Sequence, residues 1–177
     1  GGVGISAIEI GKAMGARVIA AASTDDKLEL CRKVGADDTV NYSTENLKDR
    51  INELTAGKGA DVVYDPVGGP YTEPAVRALA WRGRLLIIGF AAGEIPKIPL
   101  NLALLKERSL IGVYWGDSTK HDPAGHLANL QQLNDWFAAG VIRPVVSEIF
   151  PLANAKEAIA KIANRQVKGK IVVIPND

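Results

Sequence analysis

The chain has 177 residues, room for one domain of ordinary size, and its 47% hydrophobic and 23% charged residues are those of a globular protein rather than a disordered tail. Its 21 lysines and arginines nearly balance its 20 aspartates and glutamates, which leaves no basic footprint for nucleic acid. The longest apolar run, around Leu85 to Gly93, is far short of the roughly 20 residues that a bilayer span needs, and the lone Cys31 excludes both an internal disulfide and a cysteine-rich zinc site. These features predict a soluble, cytoplasmic protein without nucleic-acid or membrane partners.

The chain opens on Gly1, Gly2, Val3 and Gly4, with no initiating methionine and no strand ahead of this glycine-rich turn, and so reads as the interior of a longer protein. A first helix follows. Ile5, Ile8, Ala13 and Met14 share one side of it, and Gly15 stands where a C-terminal cap is expected. The run from Arg17 to Ala22 predicts a strand. Thr24 then serves as N-cap for a second helix, with Asp25 and Asp26 at its positive start and Leu28, Cys31 and Val34 facing inward before Gly35. A strand from Thr39 to Tyr42 precedes a third helix from Thr44 to about Ala56, striped by Leu47, Ile51 and Leu54.

Three further apolar runs, from Ala60 to Asp65, Gly83 to Phe90 and Ser109 to Trp115, complete a series of strands alternating with helices. That alternation predicts a doubly wound α/β fold on a parallel sheet whose strands are buried on both faces. After Asp122 the spacing changes, to a long helix from Pro123 to Ala139, a strand from Val145, a helix from Ala155 to Ala163 and a last strand from Lys170. The expected division is residues 1–140 as a doubly wound unit and residues 141–177 as a segment that returns to another surface.

A glycine turn opening a helix presents backbone N–H groups to a pyrophosphate, and Gly1 and Gly4 have the spacing of the last two glycines of a dinucleotide fingerprint. Two glycines before a helix also serve as plain turn chemistry. Read with it, the order GGVG, VGAD from Val34, ADVVYDPVGG from Ala60, GRLLIIGF from Gly83, GVYWG from Gly112 and VKGKIVV near the end resembles the medium-chain dehydrogenase/reductase superfamily. Within it the chain is most similar to the zinc-independent NADPH:quinone oxidoreductases. The resemblance implies a Rossmann cofactor domain read without its first strand and without an N-terminal GroES-like catalytic domain.

It also implies the site. Gly1, Gly2, Val3 and Gly4 would hold the pyrophosphate; Ser23, Lys27, Tyr42 and Arg165 would hold the 2′-phosphate of NADPH; Val67, Gly89, Phe90, Val113 and Tyr114 would line the rest of the cofactor. Cofactor choice is read at the tip of the second strand of such a fold, where an acid selects NAD. Here that tip is Ala22 and Ser23, which favours NADP(H). His121 and His126 are five positions apart with no cysteine companion, so no metal site is expected, and Cys31 reads as core packing.

No catalytic residue stands out, as suits hydride transfer to a quinone or α,β-unsaturated carbonyl compound, where the cofactor carries the chemistry. Two alternatives remain: a zinc-dependent alcohol dehydrogenase of the same superfamily, and a nucleotide-binding module inactive without its missing domain. The apolar run around Ile111 to Trp115 predicts an edge strand that pairs two copies into a homodimer.

Overall fold

The computed structural model describes residues 1–164 and 166–175, and in it strands and helices follow one another as their apolar spacing predicts. In chain order they are α1 (Gly2–Ala13), β1 (Ile19–Ala22), α2 (Asp25–Lys33), β2 (Asp38–Asn41), α3 (Leu47–Leu54), β3 (Ala60–Asp65), α4 (Thr72–Arg77), β4 (Leu79–Ile87), α5 (Asn101–Leu104), β5 (Ser109–Gly112), α6 (Trp115–His121), α7 (Pro123–Ala138), β6 (Val146–Pro151), α8 (Ala155–Ala163) and β7 (Lys170–Ile174). No helix among the described residues is long and apolar enough to cross a membrane.

The strands form three sheets, ordered β1-β2, β3-β4-β5 and β6-β7. Pairing is parallel between β3 and β4, β4 and β5, and β6 and β7. β1 and β2 also run alike, since the Val18 carbonyl accepts from the Asp38 amide at 3.3 Å and the Ala22 carbonyl from the Tyr42 amide at 3.1 Å.

The chain divides into two compact units. The first comprises Gly1–Ala20, Thr24–Thr39 and the segment from Leu133 onward. Its core joins Ile5 and Ile8 of α1 to Ala20, Cys31 and Ala36, with Val18, Leu30, Val34 and Val145 packed around them. Burial pushes the Cys31 thiol up from its ordinary range, so it stays protonated and packs, as the helix stripe predicts. The Glu9 carboxylate is buried on α1 and accepts from the Arg143 amide at 2.7 Å, which ties the start of the last segment to the first helix.

The second unit comprises Ala21–Ser23 and Val40–Gln132. Val76, Leu79, Leu85 and Leu102 form its core, flanked by Val63, Ile87, Ile98 and Leu110. Each such side chain taken from water contributes about 1.5 to 3 kcal/mol. Arg108 braces this core from its edge by donating to the carbonyls of Leu102, Arg77 and Leu79 at 3.0, 3.1 and 3.0 Å.

Several elements differ from expectation, β4 among them, which begins at Leu79 and not at Gly83. α3 begins at Leu47, not at Thr44, because the Asn46 side chain accepts from the Asp49 amide at 3.1 Å and caps the helix there. β5 ends at Gly112, so the strand expected through Trp115 is shorter and Trp115 opens α6 instead. α4, α5 and α6 are short helices in segments where no helix was expected.

Candidate functional site

In the first unit the candidate groups gather at the starts of two helices. Gly1 is the N-cap of α1 and no side chain caps it. The first amide with an acceptor inside the helix is that of Ile5, bonded to the Gly1 carbonyl at 3.0 Å, so the amides of Gly2, Val3 and Gly4 stand ahead of the helical ladder. A Cβ added at Gly1 or Gly4 would meet nothing within 4 Å. The amides and the helix dipole of this first turn are the features that attract an anion.

Lys27 sits in the first turn of α2, and Ser23, which belongs to the second unit, follows the tip of β1. Thr24 occupies the N-cap position in extended conformation, but its hydroxyl does not cap the helix. It donates to Asp26 instead. The other Asp26 oxygen pairs with Lys168 at 2.7 Å, and the Lys27 amide donates to Asp26 at 2.9 Å. These contacts, Lys168 foremost and Thr24 next, hold the Asp26 carboxyl down to about 2.

A folded pKa below the unfolded value of about 3.9 stabilises the protein above that value, and the contribution is lost as pH falls from about 4 towards 2. Carbon-detected titration of Asp26 should therefore give a midpoint near 2, returning towards the ordinary range in Lys168→Ala. An unchanged midpoint in that variant would show that Lys168 is not the partner that holds it.

In the second unit the groups line one edge of a parallel sheet. Asp65 of β3 is in register with Ile87 of β4, and Ile87 with Gly112 of β5, so the segments carrying Val67, Gly89 and Phe90, and Val113 and Tyr114 leave the sheet side by side. This carboxyl edge is where open α/β sheets place ligands. The Asp65 carboxylate organises it. One oxygen accepts from the amides of Val67 and Gly68 at 2.9 and 3.0 Å, and the other from the Thr72 hydroxyl at 2.7 Å.

Backbone bonds then lace the two loops together: Ala91 to the Pro66 carbonyl at 3.1 Å, Ala92 to that of Val67 at 2.8 Å, and Gly69 to that of Glu94 at 3.1 Å. Gly68 makes this closeness possible. Its φ is +69° and a Cβ there would stand 2.8 Å from the Phe90 ring.

Val113 is tied to this edge by its amide, 3.0 Å from the Ile87 carbonyl, while the side chains of Phe90, Val113 and Tyr114 are exposed. Tyr42 belongs to the same unit but sits after β2, its ring 4.4 Å from that of Tyr71 and tilted by 46°. A hollow of about 330 Å³ beside this pair is lined by Tyr42, Asn46, Pro70, Tyr71 and Pro74 among others, and Tyr42 alone of the candidate groups reaches it. Arg165 lies outside the described residues. Sequence reasoning missed Asp65, Thr72 and Tyr71, although an aspartate two residues before a Val-Gly-Gly turn is itself a turn signal.

Residues 2–132 match the family model described as "Zinc-binding dehydrogenase". The chain belongs to this family, within the medium-chain dehydrogenase/reductase superfamily. A quinone oxidoreductase-like protein 2 homolog of Nematostella vectensis is 37% identical over 98% of this chain and 48% of its own length. The crystal structure of Escherichia coli quinone oxidoreductase complexed with NADPH superposes with a TM-score of 0.86 at 31% identity, over 99% of this chain and 54% of that one. A structure named as an NAD-dependent alcohol dehydrogenase superposes with a TM-score of 0.85 at 35% identity, over 97% and 48%. The chain thus spans about half the length of the curated relatives it matches.

Membership in a dehydrogenase family raises two groups, a metal and a nucleotide. Zinc does not fit these residues: among the described ones no three His, Cys, Asp or Glu side chains lie close enough to share an ion. His126 instead meets the Trp115 ring edge-on at 5.9 Å. A nucleotide does fit in its phosphates, since the amides of Gly2, Val3 and Gly4 stand ahead of the α1 ladder as donors for an anion.

Proposed function

We propose that the protein of which this chain is the cofactor-binding part transfers hydride from NADPH to a quinone or an α,β-unsaturated carbonyl acceptor. The observation that supports the reading is the start of α1, where the amides of Gly2, Val3 and Gly4 stand ahead of the helical ladder, in a chain similar to a quinone oxidoreductase solved with NADPH. Those amides receive a pyrophosphate, and Lys27, with Ser23, Tyr42 and Arg165, receives a 2′-phosphate. NADPH, when bound, supplies the hydride. The chain's own residues bind and orient it: Val67, Gly89 and Phe90 on the laced loops, Val113 and Tyr114 beside them, fix the ring that reacts and shield it from water. No side chain of this chain is assigned a proton.

Lys27→Ala is expected to weaken NADPH about tenfold, one charge-assisted contact at an accessible position, and to leave NADH unchanged. Competition titration of the full-length protein with both cofactors reads this out. An equal loss for both would show Lys27 to be an ordinary surface group.

A second reading, an alcohol dehydrogenase using zinc ligands outside this chain, is favoured by the family's description and by the likeness to an NAD-dependent alcohol dehydrogenase. Oxidation of NADPH by a quinone that survives exhaustive metal chelation separates the two. A third, a nucleotide-binding module without turnover of its own, applies to residues 1–177 expressed alone.

The same proposal includes a cytoplasmic location, residues 1–140 as the cofactor domain and 141–177 as the segment that returns to the remaining domain. It includes a homodimer across the edge of β5, around Ile111 to Trp115. Among the described residues β5 pairs with β4 on one side only, and Ile111 is exposed, which supports pairing there. Sedimentation at micromolar concentration should show a dimer, and a monomer alone would contradict it.

A further inference from the structure

An acid beside the tip of β1 is the feature by which a dinucleotide fold selects NADH, because it accepts from the ribose hydroxyls and repels a 2′-phosphate. Asp26 is such an acid, three positions beyond Ser23 and adjacent to Lys27. Its oxygens are already engaged. One takes the Thr24 hydroxyl and the Lys27 amide, the other the Lys168 ammonium at 2.7 Å.

Lys168 is delivered from the far end of the sequence with little freedom. The next residue, Gly169, is buried, and a Cβ there would stand 2.6 Å from the Val145 carbonyl oxygen and 3.1 Å from Val145 Cγ1. Its amide donates to Ser147 Oγ at 3.3 Å, and the Lys170 amide to the Val145 carbonyl at 2.8 Å. On its other side the Gly169 carbonyl lies 3.3 Å from where a Cβ on Gly2 would be. Only glycine fits between β6 and the glycine turn, and this holds the turn that carries Lys168 beside the first turn of α2.

We infer that Lys168 is a specificity-determining residue for the cofactor, acting through Asp26: of the two acids that open α2, it cancels the charge and occupies the acceptor of the one adjacent to Lys27, which would otherwise favour NADH at the 2′-phosphate position. The inference rests on the NADPH reading above. An exposed ion pair of this kind adds little to stability. Its effect is on net charge, because an unpaired carboxylate within a few ångströms of a phosphate of nearly two negative charges is a like-charge contact that the pair removes.

The test is affinity, measured by titration of the full-length protein with NADPH, NADH, 2′,5′-ADP and 5′-AMP, in wild type, Lys168→Ala, Lys168→Arg and the double variant Lys168→Ala with Asp26→Asn. Lys168→Ala is expected to lower the ratio of NADPH to NADH affinity about tenfold, with the same fall for 2′,5′-ADP against 5′-AMP. Lys168→Arg should keep the ratio, and Asp26→Asn should restore it in the Lys168→Ala background, which a lysine binding the phosphate directly would not permit. A wild-type preference for NADPH that Lys168→Ala leaves intact, or a loss that Asp26→Asn does not repair, overturns the inference alone. Equal wild-type affinity for the two cofactors overturns the NADPH reading and the inference with it.

Discussion

Asp65→Ala is expected to destabilise the protein by about 3 kcal/mol, and to weaken dinucleotide binding in the molecules that remain folded. The Asp65 carboxylate is buried at 9% exposure, and its loss removes the acceptor of two backbone amides, those of Val67 and Gly68, and of the Thr72 hydroxyl, itself 3% exposed. The hydroxyl can turn to another acceptor. The amides cannot, and each buried donor left unpaired costs about 1 to 3 kcal/mol. Because the same loop is bonded to the one carrying Gly89 and Phe90, the damage extends to both loops.

Asp65→Asn separates the causes. Its carbonyl oxygen keeps both amides and its NH₂ meets the Thr72 oxygen, so it should cost about 1 kcal/mol or less. Urea denaturation of the three proteins checks this, and an alanine variant within about 0.5 kcal/mol of wild type would show that the carboxylate does not hold the loop.

The turn before β3 allows a comparison of two glycines two residues apart. Gly57 and Gly59 have φ of +82° and +87°, so alanine at either position adopts a left-handed backbone at about 1 to 2 kcal/mol. A Cβ at Gly57 meets nothing within 4 Å. At Gly59 it would stand 2.6 Å from the Ala78 carbonyl oxygen, 2.8 Å from the Ala80 nitrogen and 2.9 Å from the Leu79 carbonyl carbon, all backbone that cannot swing aside. The Ala60 amide is bonded to that same Ala78 carbonyl at 2.9 Å, so the clash opens the first rung between β3 and β4. Gly59→Ala should therefore cost about 3 kcal/mol or more and Gly57→Ala about 1. Equal thermal shifts for the two would contradict the close approach at Gly59.

What was readable in the sequence is what local chemistry determines. α1 and α2 fall where apolar spacing and a closing glycine put them, because one apolar face and a glycine at the end suffice to define such helices, and α7 and α8 fall close to their expected ranges. β3 was legible as a continuous apolar run. α3 was set too early because Thr44 and Asn46 are both cap residues, and only the bond from the Asp49 amide decides between them.

β5 was extended to Trp115 because Val113, Tyr114 and Trp115 have strand propensity, whereas the chain turns there to open α6. The candidate residues near the glycine turn and the strand ends were found by resemblance. Asp65 was not, since its importance lies in three partners brought to it by a turn, and Lys168 was not, since Asp26 is 142 positions before it and only the folded chain joins them.

Direct titration of the full-length protein with NADPH and with NADH, each followed through the nicotinamide fluorescence, tests the central claim. NADPH is expected to bind at least tenfold more tightly, since a 2′-phosphate met by cationic and neutral donors adds one or more charge-assisted contacts that NADH lacks. Equal affinities, or tighter binding of NADH, would contradict it.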